Sequence, residues 1–426
     1  MSTSADYRPR LRPVEAVAAP HAGRQVIVLR DASGISDRTV AVAPGTLILL
    51  ALLDGTRTVR EIQVEYARRS GELLLSEHIE RIIRELDANL LLEGESFERF
   101  AREQRQEFAL LSVRPASHAG KAYPSDPGVL REQLRSYFAV ASLNNPLTDD
   151  ERATRPAALV APHIDFTRGG PCYAHAYRRF SESTAAPPAL LVILGTAHGA
   201  PPSPYILTRK AFATPLGRAE TSAAILDALA QRWPEVETLY RDELSHRGEH
   251  SIEFQVVFAQ YALGDERMPP IVPILCSLRP PDSPRENEEA EGFVQALRAV
   301  LTERAPDACL VASADLSHVG QRFGDAGPLT SAGLRAAEQG DRNLLGRAEA
   351  LDAEGFWQAG NGRGVADPAL RGFGEAAPGA RNVCGLGPIY TLLRVTSARA
   401  GRVLKYEQAV ERPTQSMVSF AAMGFR

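Results

Sequence analysis

Histidines close three apolar runs in this chain, and a fourth opens an amphipathic helix between the second and third. Residues 157–160 lead into Ala161-Pro162-His163, residues 189–194 into Gly195-Thr196-Ala197-His198, and residues 309–313 into Ala314-Asp315-Leu316-Ser317-His318. Neutral imidazole is a good ligand for iron, copper or zinc, and two imidazoles with a carboxylate form the facial triad of non-haem iron oxygenases. The carboxylates at hand are Asp165, Glu249 and Asp315. Asp165 follows His163 by two residues and Asp315 precedes His318 by three, so either can ligate or accept a histidine N–H. His250 opens its helix, where the positive end of the dipole favours neutral imidazole and a proton-accepting role.

These residues converge only if the elements before them are parallel strands. Short continuous runs rich in Val, Ile and Leu read as strands buried on both faces. In an open α/β sheet, ligands gather beyond the carboxyl ends of such strands, which brings His163, His198 and His318 to one crevice. The rest of the region alternates accordingly. Helices are expected around 173–180, 219–233, 249–263 and 288–301, strands at 271–276 and 309–313, and further helices after Leu329. The Gly/Pro-rich stretch 360–381 reads as a long surface loop over the crevice.

Other tempting features carry less. His246-Arg247-Gly248-Glu249-His250 fits the H-x-x-E-H pattern of zinc proteases. That chemistry needs both histidines on one continuous helix, whereas Gly248 is a poor interior helix residue and the apolar helical pattern starts only at Ile252. The helix is therefore expected to begin near Glu249, with His246 left in the loop. His21, His78, His118 and His175 have no comparable company and read as incidental. Cys276 and Cys309 sit within apolar strands as small core residues. Cys384 has no adjacent base in sequence and is not read as a nucleophile.

The first part of the chain is a smaller unit. Residues 25–29 and 39–42 read as strands joined by a turn at 31–37, followed by helical patterns at 46–53, from Thr58, and from Ser76. The third pattern mixes Glu77, Glu80, Glu85 and Asp87 with Arg81 and Arg84, so it offers no basic face for phosphates. A charged helical joint over 95–106 precedes the larger region. We therefore divide the chain into residues 1–105 and 106–426.

Composition sets the frame. With 426 residues, 48 Lys and Arg against 52 Asp and Glu, and a net charge of -4, the chain has no electrostatic reason to seek nucleic acid or an anionic membrane. Its four cysteines form no C-x-x-C pair, which suits a reduced compartment. Residues 1–13 carry no apolar signal core, and the longest early apolar stretch, 46–53, is too short for a bilayer. The expected location is the cytoplasm.

Six motifs, in order, carry a resemblance. They are Arg114-Pro115 with Ala119-Gly120-Lys121-Ala122-Tyr123-Pro124, then Ala161-Pro162-His163, Leu194-Gly195-Thr196-Ala197-His198, Glu249-His250-Ser251-Ile252-Glu253, Ser313-Ala314-Asp315-Leu316-Ser317-His318 and Cys384-Gly385-Leu386-Gly387-Pro388-Ile389. Together these resemble the MEMO family, whose bacterial members are called AmmeMemoRadiSam system protein B. The resemblance implies an α/β fold like that of class III extradiol dioxygenases, with a mostly parallel central sheet. It implies His163 and His198 as ligands of iron or copper and His250 as an acid/base group; Asp315 and His318, from the residue reading, complete the candidate catalytic set. Ser317 falls where animal members have a cysteine ligand, so a weaker and more open metal site is expected.

In the first unit, Leu53-Asp54-Gly55-Thr56-Arg57-Thr58-Val59-Arg60-Glu61-Ile62 resembles PqqD-like winged-helix domains, which add a leader peptide to a sheet edge. Bacterial relatives are associated with a radical-SAM protein and an AMMECR-type protein, so the resemblance implies work in a modification pathway. Two functions are expected from this: a metal-dependent oxidoreductase, or a non-catalytic ligand- or peptide-binding module with a degenerate metal site.

Overall fold

The structure, a computed structural model, describes residues 6–21, 23–144, 146–280, 283–325, 327–361 and 382–426. The loop expected over the crevice lies, from residue 362 to residue 381, outside the described residues. The chain forms two units, one built chiefly on Met1–Leu110 and the other on Leu111–Gln321 with later stretches of chain.

In the first unit, a buried carboxylate organises the turn at residues 31–37. Asp31 accepts hydrogen bonds from the backbone N–H groups of Ser33, Ile35 and Ser36 at 3.0–3.1 Å and from the Arg12 guanidinium at 2.9 Å. The strands are β1 (Val14–His21), β2 (Arg24–Asp31) and β3 (Thr39–Val42), antiparallel in that order. The sequence pattern showed β2 and β3 but not β1. Helices α1 (Leu47–Leu50), α2 (Val59–Ser70), α3 (Ser76–Ala88) and α4 (Glu95–Ala109) follow. Thr58 and Glu61 cap α2 reciprocally, satisfying two of its free N–H groups. Ile62, Ile79, Ile83 and Leu86 pack with Leu29 and Val40 to form this unit's core.

The second unit opens with β4 (Val113–Arg114), α5 (Pro127–Asn144), α6 (Asp149–Ala153), β5 (Ala158–Ala161), α7 (Phe166–Ser181) and β6 (Leu191–Thr196). It continues through β7 (Tyr205–Leu207), β8 (Ala211–Thr214), β9 (Gly217–Ala219), α8 (Ala223–Gln231), α9 (His250–Leu263), β10 (Ile271–Cys276) and α10 (Glu288–Arg304). The remainder is β11 (Cys309–Ser313), β12 (Asp315–Gly320), α11 (Ser331–Glu349), α12 (Ala353–Gly360), α13 (Leu386–Val395), β13 (Gly401–Glu411) and β14 (Ser416–Phe425).

Its main sheet has eight strands, in the order β12-β14-β5-β11-β6-β10-β7, with β13 beside β14. Strands β5, β11, β6 and β10 run parallel at the centre, and the flanking strands run antiparallel. Every residue of those four central strands is buried. Helices on both faces explain why their sequences read as unbroken apolar runs. Leu194 joins the core that holds α8, α10 and α13, while its neighbour Gly195 faces α9. A Cβ on Gly195 would stand 2.6 Å from Ile252 and 2.8 Å from Ser251, so glycine lets the start of α9 approach the end of β6. Among the described residues no helix is long and apolar enough to cross a membrane.

Candidate metal centre

Parallel register carries the ends of β5, β6 and β11 to one edge of the sheet, and the chain places functional residues just beyond them. His163 follows β5 by two residues, His198 follows β6 by two, and His250 is the first residue of α9. One ring nitrogen from each of His163, His198 and His250 lies within 4.8 Å of the others. Their ring centroids are 4.8–5.4 Å apart. His163 is almost fully buried, whereas the His198 and His250 side chains keep 36 % and 30 % of their surface, so the cluster opens on their side.

Each ring has an acceptor on its Nδ1 side. His163 Nδ1 lies 3.1 Å from the Ser313 carbonyl, His198 Nδ1 lies 3.0 Å from Glu249 Oε1, and His250 Nδ1 lies 3.2 Å from the same oxygen. Donation from Nδ1 leaves Nε2 with its lone pair on His163 and His198. Burial, with His198 nearby, holds His163 well below the usual histidine pKa, and burial does the same to His250. Both are therefore neutral, as ligation requires. The sequence argument for a neutral His250 rested on the helix dipole, and burial acts in the same direction.

Glu249 caps α9 by accepting from the Ser251 N–H at 3.0 Å. Burial raises its carboxyl pKa, but His198 and His250 beside it more than reverse that and hold it well below the usual range. Of the three carboxylates singled out in sequence, Glu249 serves two histidines. Asp315 accepts from the backbone N–H groups of His163 at 2.9 Å and Ile164 at 3.3 Å, and its Oδ2 lies 3.7 Å from His163 Nε2. Burial pushes its carboxyl up to about 6. Asp165 instead caps α7 and pairs with Arg168.

The expected serine ligand needs correction. Ser317 lies inside β12, where its hydroxyl donates to Asp341 Oδ1 at 2.6 Å and its N–H donates to Ser419 at 2.9 Å. Its oxygen is committed to a buried carboxylate. A sulfur comes to the cluster from elsewhere: Cys384 Sγ lies 3.1 Å from His163 Nε2. The approach depends on Gly385, whose N–H donates to the Asp315 carbonyl at 3.0 Å and where a Cβ would stand 2.5 Å from Ala314 Cβ and from that oxygen. His318 is not at a strand end but within β12, with Nδ1 3.1 Å from the Leu316 carbonyl. Its charge reaches His163 and Asp315, yet it is not one of the three converging rings.

His118, read as incidental, stands beside the cluster, its ring 5.7 Å from that of His250. The Arg114 and Tyr123 motif explains its position. Glu253, one turn into α9, accepts from the backbone N–H groups of Ser117 and His118 at 3.0 Å and from the side chains of Arg114 and Tyr123. Arg114 also donates to the His246 and Glu249 carbonyls at 2.7 Å, fixing the turn that delivers Glu249 and His250. His246 lies in a 3-10 turn over Glu243–His246, separate from α9, with Nε2 at 3.1 Å from the Ile206 carbonyl. The helix needed for zinc-protease chemistry is therefore broken.

Residues 114–424 match the family described as Memo-like protein, a segment that opens on the Arg114 brace. A MEMO1 family protein of Aquifex aeolicus is 27 % identical over 398 residues, covering 93 % of this chain and 95 % of its own length. A MEMO1 family protein of Thermus thermophilus is 29 % identical over 362 residues, covering 85 % of this chain and 97 % of its own. One from Methanopyrus kandleri is 28 % identical over 321 residues, which takes in 99 % of that protein but 74 % of this chain.

Proposed function

The chain belongs to the Memo-like family, and from that premise we propose that its second unit is a metal-dependent oxidoreductase centred on His163, His198 and His250. The observation that carries this reading is the set of Nδ1 partners. Ser313 and Glu249 engage Nδ1 of His163 and His198, and one ring nitrogen from each of the three histidines lies within 4.8 Å of the others. That donor set fits a divalent first-row metal, and the Cys384 thiol beside His163 favours iron or copper over harder ions. Such a metal would supply one-electron chemistry and polarise a bound oxygen atom.

The protein's own groups have separate tasks. His163, buried and tied at Nδ1, sets the rigid side of the centre. His198 and His250 border its accessible side, where a substrate enters. Asp315 keeps Oδ1 for two backbone N–H groups, which leaves Oδ2 to hold a proton 3.7 Å from His163 Nε2.

A second reading rests on the first unit. Its sheet order leaves β1 and β3 as edges, which suits a peptide added as a further strand. Peptide binding there, in a modification pathway with a radical-SAM protein and an AMMECR-type protein, would give the second unit its substrate. The test is oxygen uptake by iron- or copper-loaded protein supplied with a reductant, beside a His163→Ala/His198→Ala double variant. Uptake lost in the variant is expected. Equal rates in both would overturn catalysis and leave a binding module.

A further inference from the structure

At the opposite end of the main sheet, a cleft of about 410 Å³ is lined by Arg179, Arg402 and Arg426 together with Glu151. We propose that this cleft binds the phosphoryl group of a small phosphomonoester, as a site separate from the histidine cluster.

Three guanidinium groups meet two carboxylates there, Glu151 and Asp150. Arg179, on the last turn of α7, and Arg402, on β13, both donate to one atom, Glu151 Oε1, at 3.0 Å. The other carboxylate oxygen is already occupied by the Thr148 N–H at 3.0 Å. Arg426 pairs with Asp150 at 2.7 Å, and its main-chain oxygen is taken by the N–H groups of Arg399 and Ala400 at 2.7 and 3.1 Å. Arg179 is 5 % exposed and its Nε has no hydrogen-bond partner. Arg179 and Arg402 share one acceptor atom, so an oxyanion in the cleft would supply the second acceptor that this pair lacks. Burial, together with the neighbouring Arg402 and Arg426, also makes the Arg179 cation harder to hold. Arg402 and Arg426 are exposed at the rim, where they can close on an entering dianion.

The size suits more than a bare ion, since pockets for small organic ligands begin at about 300 Å³. Position separates the cleft from the metal centre. It adjoins Phe425, which pairs with Ala158 at the start of β5, whereas His163 lies beyond that strand's far end. The four-residue strand spans about 13 Å.

Calorimetric titration of the full chain tests the site with two probes, inorganic phosphate and glycerol 3-phosphate, at constant ionic strength. Saturable binding of both is expected, tighter for the ester and retained in the His163→Ala/His198→Ala variant. Arg402→Ala, a rim substitution, should weaken both at least tenfold while leaving the thermal midpoint in chloride unchanged. Binding of phosphate without the ester would overturn the ligand class. No saturable heat for either probe, or undiminished binding in Arg402→Ala, would overturn the site.

Discussion

Glu249 and His198 are joined twice: the carboxylate accepts from the His198 backbone N–H at 3.0 Å and from its ring Nδ1 at 3.0 Å. The same carboxylate stands 3.2 Å from His250 Nδ1, so it sets the tautomer of the His198 ring and places its charge beside His250. An amide in its place has only one acceptor oxygen, so either the rings on Oε1 or the His198 N–H on Oε2 would face an NH2 group. Glu249→Gln should lower metal affinity about 10- to 100-fold, as measured by competition with a chelator. Affinity within twofold of wild type would contradict this.

Ser317 and Cys384 make opposite predictions. In protein loaded with Co(II) or Cu(II), Cys384→Ala should abolish thiolate-to-metal charge-transfer absorption, because its sulfur lies 3.1 Å from the metal-facing nitrogen of His163. Ser317→Ala should keep that band and the metal affinity. It should still lower stability by about 1–3 kcal/mol, because it removes a donor from buried Asp341. Loss of the metal in Ser317→Ala with retention in Cys384→Ala would reverse the assignment.

Gly385 has no room for a methyl group. Its added carbon would lie 2.5 Å from Ala314 Cβ and from the Asp315 carbonyl. Gly385→Ala should cost about 1–3 kcal/mol in denaturant unfolding and weaken metal binding by displacing Cys384. An unchanged midpoint would show that α13 can shift without cost.

The sequence was most informative where physics leaves a one-dimensional trace. Strands β5, β6, β10 and β11 are covered on both faces, so each is a short unbroken apolar run, and the histidine following a run lands at a predictable edge. Strand β14, over 416–425, has Ser416, Ser419 and Gly424 interrupting its apolar residues and is not read as a strand, although it inserts between β12 and β5. Its pairing with residues 315–320 makes them a strand, in which Ser317 bonds Asp341 and His318 lies inside the strand instead of beyond a strand's end. The Cys384 approach is also hidden, since 221 positions separate it from His163 and only the tight passage at Gly385 brings them together. His118 left no periodic signal, because its position is fixed by the hydrogen bond its backbone N–H donates to Glu253.

Acid sensitivity should follow His246. Burial lowers its pKa from 6.5 to about 3, so the folded protein keeps it neutral where the unfolded chain takes up a proton. Stability is fully present above about pH 6.5 and falls as pH drops toward 3, by up to about 4–5 kcal/mol from this residue. His246→Gln retains a donor for the Ile206 carbonyl. It should flatten the pH dependence of unfolding free energy by about one proton between pH 6 and 4. An unaltered slope would remove His246 from the acid response.

Metal content tests the central claim most directly. Protein purified anaerobically, analysed for elements beside His163→Ala/His198→Ala, should hold about one iron or copper per chain, and the variant should hold none. No stoichiometric metal after reconstitution, or equal content in the two proteins, would contradict a metal centre at His163, His198 and His250.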